Sequence, residues 1–272
     1  MAEPAPRSHV RFGATTVTYL PDGVVRTDPL AAFPGTTHAD WDSYPDLLDT
    51  HGWLVVSVGS FLIRNDAGVT LVDLGLGEVH FEVPAAATYN GGQLLTNLRA
   101  EGLSPDDVDL VLFTHMHRDH VGWTSDGAGG LMFPNARHVV DQKEWNHWQS
   151  GSDPVGPDPK TVLTPLTPAV TFFTALPPTP GIQALPTPGH TPGHTSFLIT
   201  DPTTDENLLI LGDAIHTRAQ LENLDWVFRS DYDTRLAAEH RTDLLHRRSG
   251  SELIIADSHF SGGVFGRSGV SR

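Results

Sequence analysis

The chain has 272 residues, 39% apolar and 18% charged, the balance of a globular protein long enough to bury a full core. It carries 33 acidic against 17 basic residues, and the formal charge of −16 argues against nucleic acid and anionic membrane surfaces as partners. With no cysteine, disulfides, thiol nucleophiles and sulfur-ligated zinc are excluded, whereas 15 histidines are many for this length.

Residues 1–10 lack the apolar core of a signal peptide and are expected to form a frayed arm. No run approaches the ~20 apolar residues of a membrane helix, so a cytoplasmic location is expected. The segments 20–50 and 150–180 carry no readable motif. Leu54–Ile63 and Val69–Asp73 predict strands separated by a turn at Asn65–Gly68. Gln93–Glu101 predicts a helix with Leu94, Leu95 and Leu98 on one face, and Val108–Phe113 a nearly continuous apolar strand. Arg137–Val140 predicts a strand and Gln142–Gln149 a helix. Ser152–Pro180 is punctuated by proline, which predicts loops with at most one short helix, although Val162, Leu166 and Phe172 require burial. Strands are expected at Ile182–Pro186, Ser196–Thr200, Asn207–Gly212 and Leu253–Ala256. Asp233–Arg248 predicts a helix whose apolar stripe is Leu236, His240, Leu244 and Leu245. Gly262–Arg272 reads as an exposed loop. Strands mixed with helices, with no shift in composition, predict one layered α/β domain over residues 1–272.

The sharpest signal is Thr114-His-Met-His-Arg-Asp-His120, directly after a predicted buried strand. Four metal-capable groups within six residues (His115, His117, Asp119 and His120) have one economical use, holding two cations a few ångströms apart. Further donors stand where other strands end: His190 and His194 in Pro188-Gly-His-Thr-Pro-Gly-His194, Asp213 after Ile210-Leu-Gly, and His259 after Ile255-Ala-Asp-Ser. Strand ends at a sheet rim are the usual place for a ligand pocket. Gly-x-Ser-x-Gly is absent, which disfavours a serine hydrolase.

These motifs, in this order over residues 53–267, resemble the metallo-β-lactamase-fold superfamily. Asp119-His-Val-Gly-Trp123, the Pro188–His194 phrase, His259-Phe260 and Phe265-Gly-Arg267 are most similar to its N-acyl-homoserine lactonase and methyl-parathion-hydrolase-like branch. The resemblance implies an αββα sandwich. It implies one metal on His115, His117 and His190, a second on Asp119, His120 and His259, and Asp213 bridging both. The first His of the Pro-Gly-His-Thr phrase is the family's ligand, so His194 is expected behind it. Asp73 matches a buried aspartate that braces the His loop. The lactonases carry Tyr three residues after the bridging Asp, where this chain has His216; a donor to the substrate oxygen and a His bonded to backbone are both open readings.

Imidazole and carboxylate donors suit Zn²⁺ first, and also Mn²⁺, Fe²⁺ or Co²⁺. A water held between two such ions loses a proton near neutral pH and becomes the expected nucleophile, with Asp119 orienting it and passing a proton to the leaving group. The expected reaction is hydrolysis of a small ester or lactone, ahead of a phosphotriester and then a β-lactam. Among the aromatics, Trp123 and Phe260 are expected to line the substrate cleft. A single-iron persulfide dioxygenase of the same fold is the rival of a different class, opposed by the full second ligand set. A small-molecule substrate is the expected partner, and relatives of this kind are often homodimers.

Overall fold

The computed structural model describes residues 1–149, 153–173, 179–246 and 253–267. Two sheets carry the chain. The first holds β1 (Ser8–Phe12), β2 (Thr15–Thr27), β3 (Leu54–Asn65), β4 (Gly68–Val72), β5 (His80–Val83), β6 (Ala87–Asn90), β7 (Leu110–Leu112), β8 (Arg137–Val140) and β9 (Val170–Phe172). The second runs in order through β10 (Ile182–Pro186), β11 (Thr195–Thr200), β12 (Asn207–Ile210), β13 (Leu253–Ala256) and β14 (Phe265–Arg267). The principal helices are α1 (Leu94–Ala100), α2 (Arg118–Val121), α3 (Gln142–Trp148) and α4 (Thr234–His246).

Alternation along the strands decides the layering, because successive side chains point to opposite faces. Val17, Tyr19, Phe61, Ile63, Val72 and Leu112 meet Phe197, Ile199, Leu208 and Ile210 in a core between the sheets. The intervening residues Leu62, Leu71 and Val111 pack outward against Leu94 and Leu98 of α1 and Trp145 of α3. Leu209 and Ile255 pack outward against Leu244 of α4. The result is helix, sheet, sheet, helix, the expected αββα sandwich. Among the described residues no helix is long and apolar enough to cross a membrane.

The structure departs from the sequence expectations in five places. The N-terminus is not a frayed arm: Ala2 and Ala5 are buried, Ser8–Phe12 pairs with β2, and the Ala5 N–H donates to Ser57 Oγ at 2.8 Å. Segment 20–50 is not featureless, since β2 runs to Thr27 and pairs with β3 across a register shift between Pro21 and Gly23. The Pro-Asp-Gly there has turn chemistry but serves as a bulge. The Pro-rich stretch forms helical turns at Pro159–Leu163 and Thr164–Leu166 and then β9 beside β8. The tail returns as β14 on β13 rather than looping free, while 268–272 lie outside the described residues. In α4 the buried face is Ala237, Arg241 and Leu244, not the stripe with Leu236 and His240, and the expected end at Arg248 lies outside the described residues.

His138 of β8 is fully buried against Phe113, and its ring nitrogens make no close hydrogen bond. Burial, opposed by the Ala136 backbone, pushes its pKa down to about 4. The unfolded chain therefore binds more protons below its ordinary value, so this contribution to stability is intact above about pH 6.5 and is lost as the pH falls toward 4. His138→Phe is expected to relieve up to about 3 kcal/mol of that acid loss. Urea unfolding of both proteins at pH 7 and 4.5 measures it, and identical losses would refute it.

Candidate metal centre

Every candidate donor sits at one rim of the sandwich. The chain leaves the parallel strand β7 through Phe113 and Thr114 and delivers His115 and His117 just before α2, which carries Asp119 and His120. The loop between β10 and β11 brings His190, the turn after β12 brings Asp213, and the segment after β13 brings His259. Gly212, next to Asp213, has φ +57°, and a Cβ there would collide with His194 and Thr114. Glycine is what lets this turn approach the His loop.

Asp213 is the hub. Its Oδ2 faces His115 Nε2 at 3.6 Å, His190 Nε2 at 3.2 Å and His216 Nε2 at 3.2 Å. Its Oδ1 faces His120 Nε2 at 3.1 Å and His259 Nε2 at 3.0 Å. Thus one oxygen turns to each half of the cluster. His117 Nδ1 stands 2.9 Å from His190 Nε2, and Asp119 Oδ2 lies 3.8 Å from His259 Nε2. The donor atoms of His115, His117, His190 and Asp213 lie within 4.8 Å of one another, as do those of Asp119, His120 and His259.

The far nitrogens are held in place. His120 Nδ1 donates to Asp73 Oδ2 at 2.8 Å, His190 Nδ1 to Asp231 Oδ1 at 2.9 Å, and His259 Nδ1 to the Ser57 carbonyl at 2.9 Å. His115 Nδ1 meets Thr114 Oγ1 at 3.0 Å. Partners of this kind orient imidazoles with the other nitrogen free to ligate. Asp73 also accepts from the Thr114 N–H and hydroxyl, both at 2.8 Å, and does so from a left-handed backbone with φ 61°. Such a strained conformation persists where surrounding bonds impose it.

The electrostatics bear the same stamp. Burial alone would raise the Asp213 carboxyl, but the imidazoles, His120 and His259 foremost, hold it well below the carboxylate range. Burial depresses His115 and His117. His190 and His259, against the pull of burial, are raised to about 9 by Asp213. His115 Nε2, His120 Nε2 and Asp213 Oδ1 are buried with no hydrogen-bond partner. Orphaned buried donors and acceptors are costly. A set of imidazoles and carboxylates converging on common points fits divalent cations.

His194 is not in this set: its Nε2 accepts the Asp213 N–H at 2.9 Å, and its Nδ1 meets Thr187 Oγ1 at 2.8 Å. Both of its nitrogens are spent on positioning. His216 lies at the cluster, its ring stacked on Phe228 at 3.6 Å and its nitrogens without hydrogen-bond partners. A cavity of about 290 Å³ opens onto Asp119, Asp213, His216 and His259, with Val25, Val56, Tyr89 and Phe228 as apolar walls. Trp123 and Phe260 are not among its lining residues, which corrects the expectation that they line the cleft. The Trp123 indole is turned into the core, donating to Asp22 Oδ1 at 2.8 Å, and Phe260 is buried beneath Arg218. Sequence reasoning missed Asp231 and Arg241. Arg241 is 1% exposed, donates to the Ala214 carbonyl at 2.7 Å, and lies 3.7 Å from Asp231, so it backs the carboxylate that holds His190. An Arg on a helix with no motif gives no signal of this.

Fold and cluster together define a metal-dependent hydrolase. The chain belongs to the metallo-beta-lactamase superfamily, whose family description matches residues 54–251. It is 29% identical over 215 residues to an N-acyl homoserine lactonase of Bacillus cereus, covering 75% of this chain and 81% of that protein. It is 30% identical over 222 residues to N-acyl homoserine lactonase AttM of Azorhizobium caulinodans, covering 73% and 81%. Among solved structures it superposes on the dizinc quorum-quenching lactonase AidC with a TM-score of 0.86 at 22% identity, covering 97% of this chain and 94% of AidC. It superposes on the hydrolase AbOPH with a TM-score of 0.80 at 24% identity, with the same coverages.

Proposed function

We propose that this protein is a dinuclear metal hydrolase that opens a small lactone, with an N-acyl homoserine lactone as the leading substrate. The observation that carries the reading is the two-sided Asp213 carboxylate, each oxygen facing a separate group of imidazoles at the floor of an apolar cavity. The lactonase relatives support the lactone as substrate. His115, His117 and His190 would hold one divalent cation and Asp119, His120 and His259 the other, with Asp213 shared and zinc the expected metal. When bound, two such cations supply positive charge that acidifies water and polarises a carbonyl oxygen.

The chain's own residues do the rest. Val25, Val56 and Phe228 hold the apolar part of the substrate and exclude bulk water from the reacting carbonyl. Asp119, whose side chain is 22% exposed at the cavity floor, takes a proton from water at a carboxylate oxygen and returns it to the leaving alkoxide. His216 is neutral at pH 7, because burial lowers its pKa to about 4, and its ring offers an N–H to the substrate oxygen. The imidazole thus takes the position at which the lactonases that the sequence resembles carry a Tyr.

The deciding assay is hydrolysis by zinc-loaded protein of N-hexanoyl homoserine lactone, paraoxon and nitrocefin side by side. The lactone is expected to have the highest kcat/KM; paraoxon in first place would replace the lactone reading with a phosphotriester one. His190→Ala is expected to lower metal content more than His194→Ala, because only His190 points a nitrogen at Asp213 Oδ2. Elemental analysis of the two variants reads this, and the reverse order would exchange their roles.

A further inference from the structure

The cluster is reached by two cavities rather than one. The first runs along Asp119, Asp213, His216 and His259; the second, of about 310 Å³, runs along His190, Thr191 and Asp231. They share His117, Val155, Arg229 and Ser230, so the two adjoin there.

The second cavity has its own chemistry. Tyr232, 67% exposed, meets the His147 ring at 5.2 Å; His147 meets Trp148 at 4.7 Å; Trp148 meets His117 at 5.5 Å. These edge-on contacts make a row of rings from the surface to the cluster. Thr191, 1% exposed, lines the same space, and its hydroxyl is buried with no hydrogen-bond partner. A buried hydroxyl left unpaired is costly and calls for a ligand atom. The exposed Arg229 adds a cation where the two cavities adjoin.

We propose that this second cavity binds the alcohol portion of acyclic esters, specifically a flat aromatic alcohol bearing an acceptor or anionic substituent. The proposal rests on the hydrolase reading above and widens its substrate class. A lactone keeps its acyl carbon and leaving oxygen tethered in one ring and needs one cavity. An acyclic ester diverges from the scissile bond in two directions, and two cavities of nearly equal volume meeting at His117 match that shape. The apolar cavity takes the acyl chain. The ring row stacks the aromatic alcohol, and the Thr191 hydroxyl donates to its substituent. In the reaction a water oxygen bonds to the acyl carbon and the acyl–oxygen bond breaks. The electron pair stays on the alcohol oxygen, which takes a proton that began on water. The products are the acid, ionised to solvent, and the free phenol.

The test uses zinc-loaded wild type, Thr191→Val and Tyr232→Ala. It compares kcat/KM for 4-carboxyphenyl butyrate and N-hexanoyl homoserine lactone, with isothermal titration of 4-hydroxybenzoate as a binding readout. Each variant is expected to lose about fivefold in ester kcat/KM through KM and about fivefold in 4-hydroxybenzoate affinity, the scale of one neutral contact, with the lactone rate within about twofold. Equal losses on both substrates, or no loss on the ester, overturn the proposal. Wild type that cleaves the lactone but not the ester also overturns it and leaves the lactonase reading standing. Wild type that cleaves the ester with this variant dependence but not the lactone upholds it while removing that reading.

Discussion

Asp213→Ala is expected to empty both halves of the cluster at once. Its two oxygens face different imidazoles, Oδ1 toward His120 and His259, Oδ2 toward His115 and His190, so no single-sided ligand loss would have the same reach. The wild type should carry two divalent ions per chain under the proposed assignment and the variant close to none. Lactone hydrolysis should fall at least about 1000-fold, because several kcal/mol of charge stabilisation in the transition state disappears. Chelation should lower the wild-type melting temperature, since a ligand bound only by the folded state stabilises it by mass action, and should leave the variant's unchanged. Elemental analysis and thermal melts with and without EDTA decide the matter. A variant that retains two ions would show that the carboxylate is a bystander.

Asp22→Ala should be the most destabilising single truncation away from the cluster. This carboxylate is fully buried within the bulge of β2 and accepts five hydrogen bonds. Oδ2 takes the N–H groups of Leu76 and Gly77 at 2.7 and 3.0 Å; Oδ1 takes those of Gly92 and Leu94 at 3.2 and 2.8 Å and the Trp123 indole at 2.8 Å. Each buried donor left unpaired costs about 1–3 kcal/mol, so the loss should exceed about 5 kcal/mol. That approaches the whole stability of an ordinary domain. The effect reaches the site, because Leu74, two residues before Leu76, donates to the His120 carbonyl at 2.7 Å. Asp22→Asn retains one acceptor and should be intermediate. Urea unfolding midpoints measure the series, and an Ala variant as stable as wild type would refute this account.

Asp22 also shows where sequence reading stopped. In Pro21-Asp-Gly23 it has the features of a turn residue, and nothing local reveals that four N–H groups from two backbone segments and an indole converge on it. Trp123 failed for a related reason: it follows the histidine motif in sequence, but its indole N–H found a buried carboxylate, which turned the ring into the core. In α4 the apolar stripe suggested one face, while Arg241, anchored on the Ala214, Leu224 and Trp226 carbonyls, set another. A buried guanidinium held by three backbone carbonyls outweighs periodicity there. The apolar strands β7, β12 and β13 were legible because a buried strand must be hydrophobic on both faces.

The amino-acid order by itself determined the stock of imidazole and carboxylate donors, their placement after apolar strands, and a layered α/β domain, with the αββα order implied by the family resemblance. Donor chemistry and strand patterning are properties of a few neighbouring residues and survive without coordinates. Tertiary structure alone decided which nitrogen of each histidine faces Asp213, why His194 stands behind His190, and that two cavities meet at His117. Those outcomes depend on groups such as Ser57 and His259, far apart along the chain and brought together only when the sheets pack.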